Sequence, residues 1–262
     1  MKFGTIASGS SGNCLYTGNE NTHILIDAGI SCKRIIEGLK SFELDGKDIQ
    51  GILITHEHTD HVSGLGVLAR KFHIPIYGTE KTLRHILEMS SLGKIDKELL
   101  FTINQEKIFS IGDIEIESFS ISHDAADPVS YIMHERGKKL GMITDLGYYD
   151  QRIVGMLKDS DLLYVEANHD IHMLQAGPYP YYLKRRILSD HGHLCNEKAA
   201  ELVVELTNDR LHNVILGHLS KENNYPELAL ATVKNEVNNH IKVDVAPRDQ
   251  AGQLYDVGLT YI

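Results

Sequence analysis

Long apolar runs are missing from this chain of 262 residues. None approaches the roughly eighteen residues that cross a bilayer, so no membrane association is expected. The first residues, Met1-Lys2-Phe3-Gly4, enter a strand-like segment with no apolar block of a secretory signal, and the expected location is the cytoplasm. Cysteine is scarce. Cys14, Cys32 and Cys195 are odd in number, scattered and without Cys-x-x-Cys spacing, which fits a reducing compartment rather than a disulfide framework. Cations are outnumbered, 26 Lys and Arg against 36 Asp and Glu, for a net charge of −10. That balance argues against a protein whose whole surface clamps nucleic acid, while leaving room for a local basic groove. Tryptophan is absent, and nothing about function follows from it. Linkers, repeats and low-complexity runs are also absent, so one domain over residues 1–262 is the economical reading. At 42% hydrophobic, the chain can bury a sizeable core.

What is present is a succession of short strands and amphipathic helices. Strands are expected at Lys2–Ala7, Cys14–Thr17, Thr22–Asp27, Ile52–Ile54, Pro75–Tyr77, Ile114–Phe119, Asp161–Glu166, Asn213–Leu216, Lys242–Val245 and Gln253–Ile262. Val129–Glu135 and Lys139–Thr144 read as a hairpin around Arg136-Gly137-Lys138. Ser31 is a plausible cap for a helix to about Lys40, with Cys32, Ile35, Ile36 and Leu39 on one face. Further helices are expected over Val62–Phe72, Thr79–Ser91, Tyr149–Leu157, Tyr181–Leu188, Asn196–Leu206 and Pro226–Val237.

Chemistry concentrates in Gly51-Ile-Leu-Ile-Thr-His56-Glu57-His58-Thr59-Asp60-His61. A buried strand runs straight into three histidines and an aspartate within six positions. Imidazole nitrogens and carboxylate oxygens are good ligands for divalent first-row ions. A solvated turn favours Gly, Asn, Asp and Ser and has no structural use for alternating histidines.

His-x-His-x-Asp-His after an apolar strand resembles the signature of the metallo-β-lactamase superfamily. The resemblance implies a four-layer αβ/βα sandwich, two mixed β-sheets flanked by helices, and two divalent ions, Zn or Mn. His56 and His58 match ligands of one ion, and Asp60 and His61 those of the second. His123, after the strand beginning at Ile114, matches the third ligand of the first ion. Asp145, ending the strand from Leu140, matches the bridging carboxylate. His218, after Val214-Ile215-Leu216-Gly217, matches the last ligand of the second. Asp27, in Leu25-Ile26-Asp27-Ala28-Gly29, matches an early aspartate that fixes a ligand loop by hydrogen bonds. The retained His58 argues against the superfamily's di-iron redox branch. Asp145, where the antibiotic-degrading branch usually has cysteine, argues against that branch.

Four further stretches resemble the YycJ/WalJ family: Ser8-Gly9-Ser10-Ser11-Gly12-Asn13, Glu166-Ala167-Asn168-His169-Asp170, the run Leu188 to Asn196, and the run His218 to Asn224. Cys195 departs from the serine expected there. That family implies a bacterial, cytoplasmic exonuclease acting on DNA. The ligand set implies hydrolysis by a hydroxide shared between two ions, with Asp60 orienting it and taking its proton. His191 and His193 either contact phosphate or protonate the leaving oxygen, or else brace the following helix, with Asn196 as its cap. Asn168 and His169 are read as bracing the strand end. Ser10 and Asn13 lie in a loop that is either an anion nest or a plain tight turn. Lys184 and Arg185, with Arg186, have the best claim among the basic clusters to touch a DNA backbone. The segment from Asp145 to His218 is too short for the large β-CASP insertion of ribonuclease J-type enzymes, so nucleic acid would bind on the core surface or through a homodimer. A nucleotide or small cyclic phosphodiester is the alternative substrate, and a metal-bound scaffold with incidental catalysis is a third reading.

Overall fold

The computed structural model describes residues 1–105, 107–237 and 240–258. Its strands, in chain order, are β1 Lys2–Ala7, β2 Cys14–Gly18, β3 His23–Ile26, β4 Gly51–Leu53, β5 Ile76–Gly78, β6 Leu100–Thr102, β7 Phe109–Ile111, β8 Ile114–Ser120, β9 Val129–Glu135, β10 Lys138–Ile143, β11 Leu162–Glu166, β12 Asn213–Gly217, β13 Lys242–Val245 and β14 Leu254–Asp256. The helices are α1 Cys32–Ser41, α2 Thr59–Val62, α3 Leu65–Phe72, α4 Glu80–Glu88, α5 Gln151–Leu157, α6 Ile171–Ala176, α7 Tyr181–Ile187, α8 Asn196–Leu206 and α9 Pro226–Glu236. The strands form two mixed sheets. No helix among the described residues is long and apolar enough to cross a membrane.

The chain divides into two compact units. The first comprises Met1–Ser120, Ala125–Val129 and Pro247–Asp256. Its sheet runs β14-β1-β2-β3-β4-β5-β6. The β14, β1, β2 and β3 ladders are antiparallel, while β3, β4, β5 and β6 are parallel. Strands such as Ile24–Ile26 and Ile52–Ile54 are apolar on both faces because both faces are covered. α1 turns Cys32, Ile35, Gly38 and Leu39 inward, and its N-terminus is capped by Ser31, whose Oγ accepts from Arg34 N.

The second unit comprises Ile121–Asp124, Ser130–Ala246 and the described residues from Val257 onward. There β10, β11, β12 and β13 are parallel, and β9 joins β10 antiparallel through a two-residue turn, Arg136-Gly137, both with positive φ. Tyr131 and Tyr164 are the largest fully buried side chains. α9 packs against α8 and β13.

Several expected boundaries move for identifiable reasons. The helix expected from Val62 to Phe72 is broken in two. Gly64 N donates to Ala28 O, and a Cβ at Gly64 would lie 1.9 Å from Ile30 O, so the backbone there closes on a neighbouring loop instead of continuing the helix. The helix expected from Tyr149 starts two residues later, because Asp150 caps it by accepting from Ile153 N. The helix expected to Ser91 ends at Glu88 and is followed by a short 3₁₀ turn. α8 is capped by Cys195, with Asn196 as its first residue. The amide of Asn196 instead exchanges hydrogen bonds with Asn224. The three-residue strands β6 and β7 and the six-residue α6 are additions. At the C-terminus only Leu254–Asp256 is strand, and the expected continuation to Ile262 falls partly outside the described residues.

Candidate metal centre

Parallel neighbours end side by side, and this alone gathers polar residues from distant parts of each unit. In the first unit β3 and β4 are adjacent and parallel, so Asp27 and Thr55 follow them at the same edge. Asp27 adopts a left-handed backbone, φ 60°, a conformation that aspartate tolerates better than most residues. Its carboxylate accepts from Thr55 N at 2.9 Å, from Thr55 Oγ1 at 2.8 Å and from His61 Nδ1 at 2.7 Å. Because Thr55 Oγ1 spends its proton on Asp27, it serves as acceptor for His56 Nδ1 at 3.0 Å. The rings of His56 and His58 lie 4.5 Å apart, and those of His56 and His61 4.1 Å apart. His61 Nε2 is 3.5 Å from Asp60 Oδ2 and 3.2 Å from Asn13 Nδ2. Asn13 N also donates to Asp60 O at 2.7 Å. Gly29 makes this packing possible, since a Cβ there would stand 1.6 Å from Asp60 O. Glu57 turns the other way and accepts from Ala126 N.

In the second unit three parallel strands end together. β10 leads to Asp145, β11 ends in Glu166, and β12 leads to His218. Asp145 and His218 are both left-handed, φ 56° and 55°. Glu166 is fully buried and is the hub of the cluster. It accepts from His193 Nδ1 at 2.7 Å, His218 Nδ1 at 2.8 Å, Leu146 N at 3.0 Å and Leu194 N at 3.1 Å. Burial alone would raise its pKa. The imidazoles of His193 and His218 outweigh that and hold the carboxyl well below the usual range. Ligand atoms of Asp145, Glu166, His193 and His218 all lie within 4.8 Å of one another. The hydrogen bonds to Glu166 account for much of that closeness. His123 Nδ1 donates to Gly192 O at 3.2 Å, and its Nε2 is 3.5 Å from Asp124 and 3.8 Å from Asp145.

A common pattern emerges. In His56, His61, His123, His193 and His218 the Nδ1 proton is assigned to a hydroxyl, carboxylate or carbonyl. Each ring's tautomer is thereby fixed, and Nε2 is left as the nitrogen that can ligate. This carboxylate–imidazole buttressing is what first-row ions receive in proteins, so the donor set fits a divalent ion. In the sequence Glu166 stands out only as one residue of a longer stretch. Nothing local marks it, because its partners lie 27 and 52 residues further on.

The other residues singled out in the sequence fall as follows. His191 is exposed, with Nδ1 3.0 Å from Ser122 Oγ. His169 is 1% exposed, and neither ring nitrogen has a hydrogen-bond partner. Burial pushes its pKa down to about 4. Asn168 Nδ2 donates to His218 O. Asn13 Oδ1 accepts from Gly9 N, closing the Ser8–Asn13 loop on itself, and Ser10 is exposed at its tip. Lys184 Nζ donates to Gln175 O and Gly177 O at the end of α6. Arg186 pairs with Asp124. Arg185 is exposed, 5.9 Å from the Tyr181 ring.

The model of the β-lactamase superfamily domain matches residues 22–218, and this chain belongs to that superfamily and is a hydrolase of it. Within it, the chain is 45% identical to the exodeoxyribonuclease YycJ of Bacillus anthracis over 233 residues, 89% of this chain and 88% of that protein. It is 43% identical to the exodeoxyribonuclease WalJ of Streptococcus pneumoniae strain D39 over 237 residues, 90% and 88% of the two chains. It therefore belongs to the YycJ/WalJ family. The fold is shared with the crystal structure of Zn²⁺-bound PqqB from Methylobacterium extorquens, at TM-score 0.75 and 14% identity, covering 98% of this chain and 100% of that one.

Proposed function

We propose that the chain is a divalent-metal-dependent exonuclease that hydrolyses phosphodiester bonds of DNA, with His56, His58, Asp60, His61, His123, Asp145 and His218 as ligands to two ions. The observation that carries this reading is that Nδ1 is engaged in four of the five proposed ligand histidines, which leaves Nε2 of each as the nitrogen able to ligate. The names of the YycJ and WalJ relatives support DNA as substrate. When bound, such ions polarise a phosphoryl oxygen and bring the pKa of water toward neutrality.

The chain's own residues supply the rest. Asp60, with its side chain 27% exposed, orients the attacking water and accepts its proton. Asp27 and Thr55 hold His61 and His56 so that their rings do not turn away during turnover. Attack on phosphorus forms one P–O bond and breaks another, and the leaving oxygen needs a proton. His193 is the donor best supported: with Nδ1 held by Glu166, only its imidazolium form has a proton on Nε2, and that is the proton it would give to the leaving oxygen. His191, held by Ser122 and exposed, is a weaker candidate.

The test is digestion of end-labelled duplex DNA with Mn²⁺ or Zn²⁺. Wild type is expected to degrade it, and Asp60→Ala to lose activity by at least about 100-fold. Absence of metal-dependent cleavage, or equal cleavage by the variant, overturns the reading. The net charge of −10 favours a second reading, a small nucleotide or cyclic phosphodiester. A chromogenic diester turned over far faster than DNA would select it.

A further inference from the structure

The second unit contains a pocket of about 490 Å³ of which only His193 has a part in the reaction described above. Gly147, Tyr148 and Tyr149, which follow Asp145 in the chain, line one part of it. Leu188 and Asp190 form another, and His193, Cys195 and Lys198 close it toward α8. The volume lies in the range of small-molecule sites. Two things point to a ligand. The first is His169 on the pocket wall, buried to 1% exposure, with both ring nitrogens lacking a hydrogen-bond partner. Such an orphaned buried group is costly unless something enters to satisfy it. The second is the pair of adjacent tyrosines, one of them, Tyr148, 55% exposed at the rim.

Charge decides which part of a ligand enters. The pocket holds one cation, Lys198, whose ammonium is already 2.6 Å from Glu201, and one anion, Asp190. It is no place for a phosphate. It suits a flat, uncharged, hydrogen-bonding group that stacks on an aromatic ring. His193 both lines the pocket and belongs to the Glu166 cluster, so a group seated here is continuous with the phosphate at the reacting centre.

We propose that this pocket receives the base and sugar of the terminal nucleotide, stacked on Tyr148 and Tyr149 with His169 hydrogen-bonding the edge of the base. The proposal rests on the DNA exonuclease reading and adds to it a demand that the terminal base leave its pair before cleavage. Stacking on an aromatic side chain tolerates any base, because every base has a π-face, and it offsets the fraying of an end.

The test is equilibrium binding of dAMP and of 2-deoxyribose 5-phosphate to the metal-loaded protein by calorimetry. dAMP is expected to bind at least tenfold more tightly than the base-free sugar phosphate, and Tyr148→Ala to weaken dAMP binding at least fivefold. Tyr148 is exposed, so the variant should fold, and circular dichroism checks that it does. His169→Gln, which keeps one donor and one acceptor, is expected to retain more dAMP affinity than His169→Ala. Equal binding of the two ligands, or dAMP binding indifferent to Tyr148→Ala, overturns the proposal. The two readings fail separately. Wild type that digests ordinary DNA ends and abasic ends at equal rates keeps the exonuclease and removes the pocket. Wild type that digests no DNA yet binds dAMP through Tyr148 keeps the pocket as a nucleotide site and removes the exonuclease.

Discussion

Asp27, Asp145 and His218 each follow a parallel strand, and in each the backbone passes through the left-handed region. A residue other than glycine held there costs on the order of 1–2 kcal/mol. The chain accepts it where a side chain must be turned back toward the strand ends. Asp27→Asn tests this cleanly, because asparagine tolerates the same backbone but sets an amide against the His61 Nδ1 proton. Metal affinity is expected to fall about 10–100-fold, read as ion content after dialysis, with far-UV circular dichroism unchanged. His73 is the control away from any cluster. It ends α3 at φ 55° and is exposed, so His73→Gly should raise stability by about 0.5–1 kcal/mol in thermal unfolding. Asp113 gives a pH-dependent case. The Thr22 hydroxyl, then Asn19, hold its carboxyl at about 2 against an ordinary 3.8. A depressed folded pKa means stability that is complete above the unfolded value and lost as pH falls from about 4 to about 2. Thr22→Val should move the Asp113 titration upward, visible by carboxyl NMR, and shrink that loss.

Among the elements, what the sequence revealed depended on how local the cause was. α1 carries its helical periodicity within itself and β8 its alternation, while β10 to β12 show as short apolar runs. The break between α2 and α3 was illegible because it depends on contact of Gly64 with Ala28 and Ile30, more than thirty residues away. β6 and β7 are three residues each, too short to show a period. The strand-end positions of His56, Asp145 and His218 were legible, since apolar runs point straight at them. The role of Glu166 was not, because it exists only once three strands lie side by side. α8 supplies a prediction at this scale. Its cap is Cys195, whose side chain makes no capping hydrogen bond. Burial pushes that thiol up to about 11, so it is neutral at pH 7. Cys195→Ser places a good cap acceptor at the same position and should stabilise the protein by about 1 kcal/mol, measured by thermal melt.

For the whole molecule, charge bears on how the proposed DNA substrate would be bound. The net charge is −10, and several of the basic side chains are engaged internally. Arg34 meets Asp249, Arg70 meets the carbonyls of Leu92 and Lys94, Lys139 those of Met156 and Lys158, Arg186 meets Asp124 and Arg210 meets Asp161. The excess of acidic side chains works against displacing counterions along a duplex. The slope of log affinity for DNA against log salt is therefore expected to be shallow, with magnitude below about 3, by fluorescence anisotropy of the metal-free protein. Recognition would then depend on the end of the strand more than on its length.

The way the imidazoles are held has a kinetic corollary. A histidine free to shuttle its proton between ring atoms must wait for the right isomer before it can accept an ion, and must often rotate as well. Here the proton of each buttressed ring is already parked on the far nitrogen. After stripping by a chelator, recovery of ion should follow a single fast phase limited by shedding of the ion's own hydration, with no slow step from rearrangement of the polypeptide.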